Sequence, residues 1–502
     1  MRFRTRFAVA AFALSACTSD PQDPKTWTKL LNDPREAKQA VRELQRLNKP
    51  EAVEPLIELY KKSKDPEVLK AVAQFKDKRA LATMMEAVGE FTESSYDNAA
   101  TGATALGDIG DASAVDALTK AVLRPLPVKT RANVVKLEAM KSLAKLKDKR
   151  AVDAVMKVLE TPADEQDFFL NQLAAMTLGE LADAKAVPAL IRGLFMTGRG
   201  SDIFQTCRLA LLKIGDPSIQ PLLDAHQHKN EKLEADAKKY EFRAGVIEQK
   251  TALVLGDMRA KAAQPQLVAE LKKPLKGDNH TGALYALGML GDPASVKETV
   301  AVLQDAKRDW KVRVSAAEAL NLAQDPSTLP ALLTVAKSGD VMKEGEKYPD
   351  VRIAAAMAYS RFGGKAEAAA FAPVAKAESA AKTVFDECAQ RLEVAAKCES
   401  DKDRACFEKA LDEKVLAKQE KAAFFLARFG KDALPALTKR LSHKEPIVRL
   451  AVMYSVGKVA TAADADVRKT LDTQIEVDRT KPPLRGIVEE MRALAAILAN
   501  KK

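Results

Sequence analysis

Aromatic residues make up only 5% of this 502-residue chain, with two tryptophans. Alternating runs of β-branched and aromatic residues, the mark of strands, are nearly missing. Histidine occurs four times, as His226, His228, His280 and His443, and cysteine five times. There is no phosphate-binding loop, no dinucleotide fingerprint and no nucleophile elbow, so the sequence holds no catalytic constellation and calls for no cofactor. Metal ligands at workable spacing are absent too. His226 and His228 are two apart, which on a helix points them to nearly opposite faces, and no further Cys or His stands nearby at ligand spacing. His280, after Asp278 and Asn279, reads as a helix-start or surface residue. No dense Lys/Arg block with interleaved aromatics occurs, which argues against nucleic acid. No apolar run reaches the roughly 20 residues needed to cross a bilayer.

What is present is abundant alanine, leucine, lysine and glutamate, the palette of helices packed through small residues. The chain is too long for one compact core, so it splits into domains or repeats one unit. Its formal net charge is +11. Removal of an N-terminal segment holding Arg2, Arg4 and Arg6 leaves about +8, with both signs interspersed. That permits an anionic partner without demanding one.

The first residues have an order of their own. Arg2, Arg4 and Arg6 precede a short apolar stretch, Phe7 to Leu14, followed by Leu14-Ser15-Ala16-Cys17. This resembles the lipobox of bacterial lipoproteins, which implies cleavage before Cys17 and a diacylglycerol, with a palmitate-type acyl chain, on its thiol. An ordinary signal peptide cut near Ala16 and a chance pattern in a cytosolic chain are the alternatives. Thr18, rather than Asp, follows the cysteine; by the sorting rule of enteric bacteria that implies the outer membrane. The expected location is the cell envelope, lipid-anchored on the periplasmic side.

One pattern then recurs. A helix ends in Ala-x-x-x-Leu-Gly or similar, and Asp-x-x-Ala-Val-x-x-Leu opens the next. Copies stand at 103–118, 175–190 and 283–300, with weaker ones between and beyond. The anchor residue falls at Val53, Leu81, Val115, Val152, Val187 and Ile219, at gaps of 28, 34, 37, 35 and 32 residues. Val187, Leu190, Ile191 and Leu194 share one helical face, as do Val312, Ala316 and Leu320. Gly107, Gly110, Gly288 and Gly291 suit left-handed helix ends. Asp216, Asp292 and Asp325, each followed by proline, read as N-caps.

These units resemble the HEAT family, in particular the short bacterial HEAT units also seen in phycobilin lyases. Val312-Arg313, Val351-Arg352 and Val448-Arg449 match its first-helix hallmark, with Asp309, Asp350 and Glu445 at the acidic position; the resemblance implies charge ladders between repeats. The expected fold is all-α, an α–α superhelix of about twelve units. The expected division is a signal peptide at 1–16, lipidated Cys17 and a flexible tether at 17–26, a HEAT solenoid at 27–365, an irregular helical pair at 366–416, and C-terminal repeats with a cap at 417–502. Breaks in the pattern fall at Asp224–Tyr240, a lengthened helix or protruding loop, and at Lys337–Asp350, a polar loop.

Cys388 and Cys398 are ten residues apart on one apparent helix, about 15 Å along its axis, too far for a disulfide. Cys398 and Cys406 flank a polar turn and are expected to pair, with free thiols or a Cys388–Cys406 bridge as alternatives. Cys207 reads as a buried apolar residue.

Three function classes remain. The first is a non-catalytic scaffold that binds other envelope proteins on a concave face lined by second helices, such as those starting at Val115, Val152 and Val187. The second is a structural protein contacting membrane or polyanion. The third, against the address, is a lyase-like enzyme implied by the bilin lyases.

Overall fold

The computed structural model describes residues 20–89, 91–92, 95–337 and 351–501. Cys17 lies outside them, as does Lys337–Asp350 beyond its first residue. The fold is all-α, an α–α superhelix of helix pairs; among the described residues the strands are two dipeptides, Thr197–Gly198 and Ser201–Asp202. They pair across Arg199 and Gly200, both at positive φ, as a two-residue hairpin requires.

Most units share one local logic. A first helix ends, one residue turns left-handed, and a 3-10 turn leads into a second helix. Asp77, Asp111, Asp148, Asp183 and Asp325 cap these turns, their carboxylates accepting from the backbone N–H two residues on. Arg79 and Arg150 pair with their capping aspartates and also donate to carbonyls of the preceding unit, Pro50 at 2.8 Å and Ala112 at 2.7 Å. The corner therefore stitches neighbours together as well as turning the chain. Anchor residues Val53, Val115, Val152 and Val187 are buried; Leu81 and Ile219 are half-buried. The apolar faces read from Val187, Leu190, Ile191 and Leu194, and from Val312, Ala316 and Leu320, are buried throughout.

Several corner residues depart from expectation. Gly110 and Gly291 do take the left-handed position, but Lys76, Lys147, Ala182, Arg259 and Gln324 take it elsewhere without glycine. Gly107 and Gly288 lie inside helices instead. A Cβ on Gly107 would sit 2.8 Å from the Ser142 Cα, and one on Gly288 2.7 Å from the Ala319 Cα. They are there so that successive first helices can touch. Asp292 and Asp325 cap as read, whereas at Asp216 the cap position belongs to Gly215, at φ 78°. Arg449 pairs with Asp478 at 2.6 Å and Arg352 with Glu378 at 2.9 Å, each reaching a carboxylate C-terminal to itself. Asp309 caps its own helix through the Lys311 N–H.

The chain forms two compact units, one of Met1–Val158 with Glu165–Leu173, the other of Leu159–Asp164 with Ala174–Lys502. The segment expected as an irregular pair is the Lys365–Ala377 and Lys382–Lys397 helices followed by a short third, Arg404–Ala410. Stacked rings of Tyr359, Phe371 and Phe385 fill it.

Candidate functional site

In the larger unit the first helices carry the close contacts. Gly256 meets Ala286, and Gly288 meets Ala319, with virtual Cβ to Cα distances of 2.7 Å in both cases. The second helices touch one another far less. In a curved stack the closer-packed layer is the concave one, so in this unit the concave side is built from first helices. That corrects the expectation that second helices line it. The small residues that allow tight approach sit on the first helices, and they set which layer is compressed.

That layer also closes on itself. The last helix, Arg485–Asn500, packs against Phe204–Ile214 through Leu212, Ala493 and Ala496. The Asn500 amide donates to the Leu212 carbonyl at 2.9 Å. From the Pro446–Val459 helix, the Tyr454 hydroxyl donates to the Leu322 carbonyl, and the Lys458 amine to that of Ala323 at 2.8 Å.

A cavity of about 330 Å³ remains where these helices converge. Its wall is mostly apolar, with Met289, Leu322, Phe424, Ile447 and Leu450 contributing. Ile447 and Leu450 are each 43% exposed, high for large apolar side chains. The carboxylates on the wall are all engaged. Arg208 holds Asp257 at 2.6 Å and Glu490 at 2.9 Å, and the Tyr285 hydroxyl donates to Asp257 at 2.7 Å. Glu420 receives Arg361 at 3.0 Å and Arg391 at 2.8 Å. Burial, then the charge of Asp257, pushes the Tyr285 hydroxyl far above the ordinary phenol range, so it acts only as a donor here. Arg259 also lines the cavity, and its guanidinium has no carboxylate or hydrogen-bond acceptor among the described residues.

A second concavity, of about 350 Å³, lies in the smaller unit. It sits at the ends of two second helices, Leu81–Gly89 and Val115–Leu123. Leu123 is 41% exposed there, Lys120 stands beside it, and the Arg124 guanidinium stacks on the Phe91 ring at 4.6 Å.

The residues singled out in the sequence fall elsewhere. His226 ends its helix, is buried, and bonds the Thr251 hydroxyl through Nδ1 at 3.0 Å. His228, one turn-residue on at φ 61°, bridges Glu234 at 2.9 Å and Glu248 at 3.0 Å; the hydrogen bond with Glu248, above all, lifts its pKa to about 9. His280 is buried, not on the surface, because its helix starts beneath the preceding loop, where Nε2 bonds the Lys273 carbonyl at 3.1 Å. Among the described residues no cluster of three His, Cys, Asp or Glu is placed to hold a metal. Asp224–Tyr240 does not protrude: its Glu231–Lys239 helix buries Leu233 and is tied down by an Arg192–Asp236 pair at 2.6 Å. Cys398 and Cys406 are joined as a disulfide, with Cα atoms 5.7 Å apart. Cys388 and Cys207 are free and buried.

Sequence reasoning missed Arg208, Asp257, Tyr285, Glu490 and Arg259. One signal was available for the last: its corner is capped by Ala260, where five other corners carry an aspartate.

Helix pairs joined by capped 3-10 corners define the class, an all-α superhelix of repeated helix pairs. Residues 135–161, one first helix with its corner and second helix, match the family model described as PBS lyase HEAT-like repeat. No curated protein matches the chain. Among solved structures the chain is similar to Kap121p bound to Ste12p, with TM-score 0.46 and 11% identity, over 94% of this chain and 53% of that one. It thus spans about half the length of that protein. It is also similar to human deoxyhypusine hydroxylase in complex with glycerol, with TM-score 0.21 and 17% identity, over 61% of this chain and 96% of that one.

Proposed function

We propose that this protein is a non-catalytic scaffold of the bacterial cell envelope, anchored by lipid on Cys17 and docking another envelope protein on its second helices. The groove of Phe91, Lys120, Leu123 and Arg124 carries the docking reading, because it joins an exposed apolar side chain to two cations on the ends of second helices. Second helices are in any case the accessible layer in the larger unit, where the first helices are turned inward. The Arg-Cys order of the N-terminus supports the anchor and the periplasmic address.

The test is in-cell photocrosslinking from position 123 in the wild type and in Cys17→Ser, with products identified by mass spectrometry. One envelope protein is expected to crosslink, with loss of the product in Cys17→Ser and in Arg124→Glu. If no protein is enriched over a probe at an exposed control position, the docking reading fails.

An oxidising compartment would keep the Cys398–Cys406 bridge closed. It spans eight residues, and a loop of that size constrains the unfolded chain by about 2–3 kcal/mol. Cys398→Ser is therefore expected to lower unfolding free energy by about that amount in oxidising buffer and by much less under dithiothreitol. Equal losses in both buffers would count against a closed bridge.

A further inference from the structure

We infer that the cavity lined by the first helices of the larger unit binds a small amphipathic carboxylate, its head on Arg259 and its apolar body against Met289, Leu322, Ile447 and Leu450. The inference is independent of the docking reading, which concerns the other unit.

Charge accounting within the cavity carries it. Asp257, Glu420 and Glu490 are each already held by one or two guanidinium groups. Arg259 is not paired, although it is half-buried and lies on a mostly apolar wall. A half-buried guanidinium with no protein acceptor among the described residues is left to water alone, and a carboxylate meets it with two parallel, charge-assisted hydrogen bonds. The surroundings add positive potential. The Lys458 and Lys501 amines are both lowered to about 8, by burial first and then by the Arg259 charge. Both are nonetheless occupied, Lys458 by the Ala323 carbonyl at 2.8 Å and Lys501 by those of Gly457 at 2.9 Å and Lys458 at 3.0 Å. Among the lining residues described, Arg259 is thus the one cation free to bind, which suits a monoanion better than a doubly charged phosphate.

Size and polarity select the rest of the ligand. At about 30 Å³ per water-sized group, a 330 Å³ cavity admits roughly ten or eleven non-hydrogen groups, so a ten-carbon carboxylate fills it and extends its chain end past the exposed Ile447 and Leu450. That is at the small end of ligand pockets. The exposure of Ile447 and Leu450 has no account in the unit's own packing and would be removed by an alkyl body.

Isothermal titration of decanoate into the purified full chain carrying Cys17→Ser tests this, with decan-1-ol as the uncharged probe and decyltrimethylammonium as the cationic one. Saturable binding of decanoate is expected, with decan-1-ol at least ten-fold weaker and the cation without measurable binding. Arg259→Gln is expected to weaken decanoate at least ten-fold while leaving decan-1-ol unchanged. Ile447→Glu, at a position 43% exposed on the cavity wall, is expected to weaken decanoate as well. Failure of decanoate to bind, equal affinity of acid and alcohol, or full affinity in folded Arg259→Gln would each overturn the inference.

Discussion

Asp478→Ala is expected to cost about 3–5 kcal/mol of unfolding free energy, because it leaves a buried guanidinium with no carboxylate. Arg449 is 3% exposed and Asp478 1%, and they pair at 2.6 Å. Asp478 also accepts from Gln474 at 2.7 Å and from Lys481 at 2.9 Å. The loss therefore strands several donors, not one. Burial would raise the Asp478 pKa, but the hydrogen bonds from Gln474 and Lys481 and the charge of Arg449 outweigh it, and the net shift is downward. A carboxyl with a lowered folded pKa stabilises above its unfolded value of about 3.9 and loses that contribution as pH falls through the folded value. Urea unfolding followed by circular dichroism should show the full gap between wild type and variant at neutral pH and a shrinking gap below about pH 4. Glu58→Ala, which breaks an exposed pair with Lys61, is the control and should leave the midpoint unchanged. A pH-independent gap would mean that the loss is one of packing and not of charge.

Gly288→Val is expected to destabilise by about 3 kcal/mol, at the upper end of overpacking costs. A Cβ at this position would lie 2.6 Å from the Ala319 carbonyl oxygen and 2.7 Å from its Cα. Backbone cannot yield as a flexible side chain can, so the Asn279–Leu290 and Trp310–Ala323 helices must separate. Gly486→Ala in the last helix meets nothing within 4 Å and is expected to be neutral or to gain about 0.5 kcal/mol from reduced chain entropy. If both substitutions behave alike in the same urea titration, close approach at Gly288 is not what holds the first helices together. Because that approach sets the curl of the unit, Gly288→Val should also weaken decanoate in the titration above.

Much of the architecture is legible residue by residue. Periodicity at Val187, Leu190, Ile191 and Leu194 assigns a buried face because a helix repeats every 3.6 residues whatever surrounds it. Asp292 and Asp325 are legible as caps, since a cap bonds the backbone two or three residues away. Asp216 misleads because Gly215 turns first and takes the cap position itself. Gly107 and Gly288 mislead in another way. A glycine near a helix end serves either a left-handed turn or a close neighbour, and only the neighbour's position tells which. His280 reads as surface because its local sequence is polar, yet a loop from the preceding unit covers it.

The site belongs to the second category. Arg208 and Glu490 are 282 positions apart, and Tyr454 reaches a carbonyl 132 positions away. No local pattern links such residues. Their meeting follows from how the small rotation between successive units accumulates, and that rotation is fixed by which helix layer carries the small residues.

By itself, then, the sequence determined the repeat, the helix pairs, the faces they bury and most of the corners, because each depends on residues within about one unit of one another. Only the tertiary structure decided that the first helices form the concave layer of the larger unit, that its last helix returns to Phe204–Ile214, and that Arg259 is left without a partner in an apolar cavity. Those depend on contacts between residues separated by many units, where the geometry of every intervening helix contact contributes and the pattern of any single repeat does not.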